Sequence, residues 1–375
     1  MARADNDTRG RGRRAFASLR RRGAAAPEDS AEPDAQPPVE EPSEWADAAA
    51  SPPAPADGAE PDAQPPVEER SEWAEAAEAQ PVTADGAPDF DPPTLEAADG
   101  ATQQILAHAQ EDPGPLELPV VLAIANQKGG VGKTTTAVNL GSALAEAGYR
   151  VLVVDLDPQG NASTGLGVNP RDLESSVYDV IMNDAPLDDC VEPTSLKNLF
   201  VAPATIDLAG AEIELVPAMS RELKLRRAVD AARDDYDIVL IDCPPSLGLL
   251  TVNGLAAADD VIVPIQCEYY ALEGLGQLLR NVGLVRGNLN PTLDVRGIVL
   301  TMYDARTKLA DQVEAEVRLH FGPKVYATVV PRTVRLSEAP SFGQPIIVFD
   351  PTSRGAQAYR DLAEEVSRGA TRRSR

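Results

Sequence analysis

The chain has 375 residues and a formal net charge of −25, with three cysteines and two histidines. So few imidazoles nearly exclude histidine general-base chemistry or a histidine-rich metal site, and three cysteines without C-x-x-C spacing suit a reduced cytoplasm rather than a disulfide framework. No apolar run approaches the roughly 18 residues that span a bilayer, and the arginine-rich start lacks the apolar stretch of a signal peptide, so a cytoplasmic protein is expected.

Residues 1–22, with eight arginines and two aspartates, form a basic arm. It suits contact with nucleic acid or anionic lipid, or serves only to solubilise. Residues 23–117 carry twenty-four carboxylates against Arg70 as the one lysine or arginine, so the negative charge is mostly a property of this segment. Proline, alanine and carboxylates leave too little apolar surface there to offset ordering entropy, and a disordered tail over 1–117 is expected. Within it AEPDAQPPVEEPSEWADAA at 31–49 recurs as AEPDAQPPVEERSEWAEAA at 59–77, differing at Pro42/Arg70 and Asp47/Glu75. Each copy holds one of the two tryptophans, Trp45 and Trp73. Serine before glutamate with an apolar anchor just inside reads as a short helix that folds on a partner, so the pair suggests a bivalent site for a tail-binding protein. Tandem duplication of a spacer is the alternative.

The remainder, 118–375, is long enough to bury one sizeable core. Val120 to Ala125 is a short apolar run of strand type, followed at once by a glycine-rich turn and an amphipathic helix from Thr134 to Gly148. Gly129, Gly130 and Gly132 let the backbone approach a ligand, and successive N–H groups at a helix start favour phosphate. Lys133 is placed to reach phosphates and Thr134 to hold Mg²⁺. The plain pattern G-x-x-x-x-G-K-[ST] fails at Gln127, and Lys128 adds a second lysine, giving K-G-G-x-G-K-T. A dinucleotide fingerprint would need glycine at Thr135, which favours ATP over NAD.

Arg150 to Asp155 is the next strand, delivering Asp155 and Asp157 to its C-terminal edge, where ligands bind in open α/β sheets. Either aspartate could instead only cap the turn. A strand at Leu199 to Pro203 and a basic helix from Ser220 to Ala232, continuing to Asp237, precede Ile238 to Asp242. That apolar strand ends in an acid, and with the phosphate loop upstream Asp242 is expected to support Mg²⁺ through water. Strands at Val261 to Pro264, Arg296 to Thr301 and Val325 to Val330 follow, with helices near 271–287, 308–320 and 353–367. The alternation predicts a doubly wound α/β domain with a mainly parallel sheet and helices on both faces.

The motifs N-Q-K-G-G-V-G-K-T-T-T (126–136), V-D-L-D-P-Q-G-N (154–161), I-D-C-P-P-S (241–246), M-Y-D-A-R-T (302–307) and V-P-R-T-V-R-L-S-E-A-P-S (330–341) together resemble the deviant Walker A ATPases of the ParA/Soj partitioning type, relatives of MinD. The resemblance implies an ATP-bound sandwich homodimer that binds DNA non-specifically and is released by hydrolysis. It implies stimulation by a ParB-type centromere-binding protein and a place on the nucleoid. By motif position, Lys128 reaches across to the partner's phosphates. Gly129, Gly130, Val131, Gly132, Lys133, Thr134 and Thr135 hold the nucleotide, Asp157 orients water, and Pro331 lies near adenine. Arg306 and Arg335 are the expected DNA contacts, with Lys308, Arg318, Lys324, Arg332 and Arg354 as further candidates. The same core could position a non-DNA protein cargo or act as a MinD-like membrane positioner, although the polar, arginine-tipped C-terminus lacks the bulky apolar face the latter needs.

Overall fold

Two apolar faces and a hydrogen-bonded edge on each side make β1 (Val120–Ile124) the centre of the sheet in the computed structural model, which describes residues 112–268 and 271–370, the side chains of 271–273 excepted. The basic arm and the tryptophan repeats lie outside the described residues. All five β1 residues are buried, with Val121 and Ala123 facing one core and Val120, Leu122 and Ile124 the other. That is what a strand covered on both faces requires.

The other strands are β2 (Val151–Asp155), β3 (Glu192–Pro193), β4 (Leu199–Ala202), β5 (Ile238–Asp242), β6 (Asp260–Gln266), β7 (Asp294–Tyr303) and β8 (Val325–Pro331). They form one sheet in the order β3-β4-β2-β5-β1-β6-β7-β8. Every pairing is parallel except β3 with β4, a two-residue antiparallel edge that the sequence pattern did not announce. The expected doubly wound α/β architecture is therefore observed. In register, Asp242 lies beside Ile124 on one side and Asp155 on the other, so three adjacent strands end level.

The crossovers carry α1 (Lys133–Glu146), α2 (Asn161–Gly165), α3 (Val177–Met182), α4 (Leu208–Glu214), α5 (Lys224–Ala232), α6 (Leu249–Ala257), α7 (Ala271–Asn288) and α8 (Lys308–Phe321). After β8 come α9 (Val334–Glu338), α10 (Ile346–Phe349) and α11 (Arg354–Val366). The basic helix expected from Ser220 is shorter. Ser220 sits at φ 52°, which breaks the helical path, and single 3₁₀ turns at Arg221–Leu223 and Arg233–Asp235 flank α5. Residues ahead of Leu118 also pack: Leu116 is buried, and Arg296 donates to the carbonyls of Pro113 (3.2 Å) and Gly114 (2.8 Å). No helix of the described residues is long and apolar enough to cross a membrane.

Candidate nucleotide site

The loop from Ala125 to Gly132 joins the C-terminal end of β1 to α1, and its shape is set by two glycines. Gly130 (φ 76°) and Gly132 (φ 88°) occupy left-handed backbone, where a side chain would be strained. Gly132 starts α1 without any side-chain cap, and no acidic residue stands in the first turn. The free N–H groups and positive dipole end of a fourteen-residue helix are thus left for an anion. Above Gly129 and Gly130 an added Cβ would meet nothing within 4 Å, so this side of the loop is open.

Three polar side chains, Asn126, Thr301 and Lys133, fix the loop. Asn126 donates Nδ2 to the Pro264 carbonyl (2.7 Å) and accepts from the Lys128 N–H (3.0 Å). Thr301, on β7, donates its hydroxyl to the Val131 carbonyl (2.8 Å), with the Ile265 carbonyl also within reach (3.1 Å). Lys133 points inward, only 6% exposed, and donates Nζ to the Lys128 carbonyl at 3.1 Å. Burial lowers its pKa against the opposing pull of nearby anions, Asp242 foremost. Lys128 points elsewhere: its Nζ pairs with Glu268 Oε2 at 3.0 Å on the surface.

The acids at the strand ends divide the work. Asp155 is fully buried and satisfied: Oδ2 accepts from the Ser163 N–H (2.8 Å) and hydroxyl (2.7 Å), and Oδ1 from the Asp157 N–H (3.1 Å). Burial raises its pKa to about 6 despite those bonds. Of the two readings open from sequence, the turn-holding one describes Asp155. Asp157 lies just beyond, with Oδ1 accepting from the Gln159 N–H (3.0 Å).

Asp242 is different. It too is fully buried, yet neither carboxylate oxygen meets a donor in full hydrogen-bond geometry among the described residues, and the Thr134 hydroxyl is a weak partner at best. Burial first, then the neighbouring Asp155, push its carboxyl well above the usual range, and the nearby Thr134 hydroxyl and Lys133 only temper the shift. An ionised, unsatisfied carboxylate in an interior costs on the order of several kcal/mol, so such a group takes up either a proton or a cation. Thr134 and Asp242 suit Mg²⁺, a hard ion usually held by one or two protein oxygens with water and substrate phosphates completing its shell. Among the described residues, no group of three or more His, Cys, Asp or Glu side chains is placed to hold a metal ion.

Beside the loop, a cavity of about 310 Å³ is bounded by Gly132, Thr135, Thr301, Pro331, Arg332 and Tyr359, among others. Pro331 and Thr135 therefore face one space. Arg306 and Arg335 follow the C-terminal ends of β7 and β8, at the same edge of the sheet as the loop. Neither is free. Arg306, 87% exposed, pairs with Asp304 (2.6 Å), holding that carboxyl down to about 2; Arg335 pairs with Glu338 (3.2 Å) and Asp350 (3.5 Å).

Of the wider basic set, Lys308, Arg332 and Arg354 are exposed. Lys324 is not a surface cation: it is 3% exposed and bound to Asp294 at 2.7 Å. Arg318 is committed to Glu314 (2.9 Å) and to the carbonyls of Val325 and Ala327, which tie α8 to β8. Sequence reasoning missed Thr301 and Glu268, since neither stands in a spacing that marks it.

Residues 120–295 match the family described as AAA domain. The chain is 61% identical over 247 residues to the sporulation initiation inhibitor protein Soj of Bacillus subtilis, covering 66% of this chain and 98% of that one. It is 58% identical over 248 residues to the chromosome partitioning protein ParA of Caulobacter vibrioides, covering 66% and 93%. The chain belongs to the ParA/Soj family of partitioning ATPases. Among solved structures it is similar to one from Mycobacterium smegmatis described as cobyrinic acid a,c-diamide synthase with bound ADP and magnesium. That likeness has 44% identity and a TM-score of 0.58, covering 65% of this chain and 92% of that one.

Proposed function

We propose that this protein is an ATP-driven switch for DNA partition: two ATP-bound subunits close face to face, the dimer holds DNA without sequence preference, and hydrolysis releases it. A ParB-type centromere-binding protein stimulates hydrolysis, and the protein works in the cytoplasm on the nucleoid. The observation that carries the reading is the pairing of an uncapped, glycine-led helix start with a buried, unsatisfied Asp242 beside it. One feature attracts phosphate and the other attracts a cation, which is the charge pattern of a nucleotide with Mg²⁺.

In this reading the N–H groups of Gly129 to Gly132 and Lys133 bind the phosphates, and the Thr134 hydroxyl and Asp242 would hold the metal. The metal would supply charge neutralisation for the phosphates. Thr135 and Pro331 face the nucleoside. Asp157, whose backbone N–H is fixed by Asp155, orients the attacking water. Lys128 supplies its charge to the partner's phosphates, so turnover depends on the dimer. Arg306 and Arg335 contact DNA phosphates on the edge the two subunits share, where a polyanion takes the place of the carboxylates they now pair with.

Steady-state ATP hydrolysis with parallel sizing tests this. The full chain should dimerise with ATP and not with ADP, Asp157→Ala should dimerise without turning over, and Lys128→Ala should lose turnover. Parent-like turnover by Asp157→Ala would remove the assigned role, and a chain that stays monomeric in ATP would remove the switch.

A further inference from the structure

The two loop lysines differ in what holds them. Lys133 is buried and bonded to its own loop, whereas the Lys128 side chain lies on the surface in an ion pair with Glu268, 140 residues downstream. Lys128's backbone is immobilised from both directions: its N–H donates to Asn126 Oδ1 (3.0 Å), and its carbonyl accepts from Lys133 Nζ (3.1 Å). Glu268 is itself positioned, since its N–H donates to the Gln266 carbonyl (2.8 Å) and its Oε1 accepts from the Gln266 side-chain amide. Gln266 is the last residue of β6, the strand next to β1, so the carboxylate is carried on the sheet edge beside the loop.

We infer that Glu268 is a positioning residue that latches Lys128 within its own subunit and sets the threshold for nucleotide-driven dimerisation. The inference rests on the proposed function, in which Lys128 acts on the partner's phosphates. In that reading Lys128 leaves the Glu268 carboxylate, now at 3.0 Å, as it turns to the partner's phosphates, so closure exchanges one carboxylate for a phosphate group of higher charge. With side-chain exposures of 37% and 48%, the pair is weak and salt-sensitive. A weak latch suits a switch: it discourages closure without nucleotide and yields once phosphates offer more charge. Two such pairs open per dimer, so removing the carboxylate eases association by about threefold to tenfold.

The experiment compares the parent with Glu268→Gln as full chains. Sedimentation over a range of protein concentrations, with Mg²⁺ and a slowly hydrolysed ATP analogue, should place the dimerisation midpoint of Glu268→Gln about threefold to tenfold lower than the parent's at low salt. The gap should shrink toward unity near 0.5 M NaCl, roughly where screening removes exposed pairs. In nucleotide-free protein, amine-directed labelling of Lys128 should be faster in Glu268→Gln, while the melting temperature stays the same.

Unchanged labelling would show that the pair does not hold Lys128 and would overturn the latch. Faster labelling with an equal or higher dimerisation midpoint would overturn its regulatory role. A parent that never dimerises with the analogue would instead overturn the switch reading, and the labelling arm would still judge the pair itself.

Discussion

Asp155 and Asp242 stand opposite one another at the ends of β2 and β5, both fully buried, and only Asp155 has its oxygens satisfied. The protein thus keeps one charge quiet with Ser163 and leaves its neighbour to be neutralised by something else. Asp242→Asn should therefore lower ATP turnover by two orders of magnitude or so while raising the melting temperature of the nucleotide-free chain. Calorimetry without nucleotide, beside a hydrolysis assay, checks both signs. Loss of stability in the variant would mean the carboxylate is satisfied after all.

The same pair gives a pH dependence. Each carboxyl titrates higher in the folded protein than in the unfolded chain, Asp155 at about 6, so the folded state binds more protons and stability contributed by these groups falls as pH rises. For Asp155 the penalty is complete above about 6 and relieved as pH falls toward the ordinary carboxylate value. The stabilising effect of Asp242→Asn should accordingly be larger at neutral pH than at mildly acidic pH. Melting curves of parent and variant at both values test it, and a gap that widens on acidification would contradict the assignment.

Thr301→Val keeps the shape and deletes the hydroxyl that holds the Val131 carbonyl. The expected cost is about 1–2 kcal/mol of stability, with weaker nucleotide binding because the loop loses its support from β7. Denaturant unfolding and nucleotide titration should move together; a nucleotide affinity equal to the parent's would show the loop to be held well enough without Thr301.

Lys324 and Arg306 separate structure from DNA binding. Lys324→Met leaves Asp294 without its closest cation and should cost about 2–4 kcal/mol, with no change in DNA retention once folded. Arg306→Ala, on an 87% exposed side chain, should leave stability within about 0.5 kcal/mol and reduce the salt slope of DNA binding by roughly one for each phosphate it no longer neutralises. The reverse pattern would move the DNA surface away from the β7–α8 turn.

The glycine-rich loop between β1 and α1 was legible in the sequence because its features are local. Glycines at 130 and 132 are demanded by left-handed backbone, the apolar run before them is a strand buried on both faces, and Lys133 follows in fixed spacing. Asp242 was legible for the same reason, as the acid ending an apolar strand. Thr301 and Glu268 were not, because crossovers bring each to the loop from 140 residues or more away and a single polar residue at a strand end has no pattern of its own. Lys324 illustrates the opposite failure. In sequence it looks like any surface lysine, and only the approach of Asp294 across the sheet edge explains its burial. Helices α2, α3, α4, α9 and α10 run four to seven residues, too short to establish a helical period.

DNA retention of the full chain at low salt with ATP, with ADP and with no nucleotide, repeated for Lys128→Ala and Arg335→Glu, is the measurement that decides whether the protein is an ATP-driven DNA switch. Retention should occur with ATP alone and be abolished in both variants. Retention that ignores the nucleotide, or that persists in Arg335→Glu while it still dimerises with ATP, would contradict a switch that grips DNA through this edge.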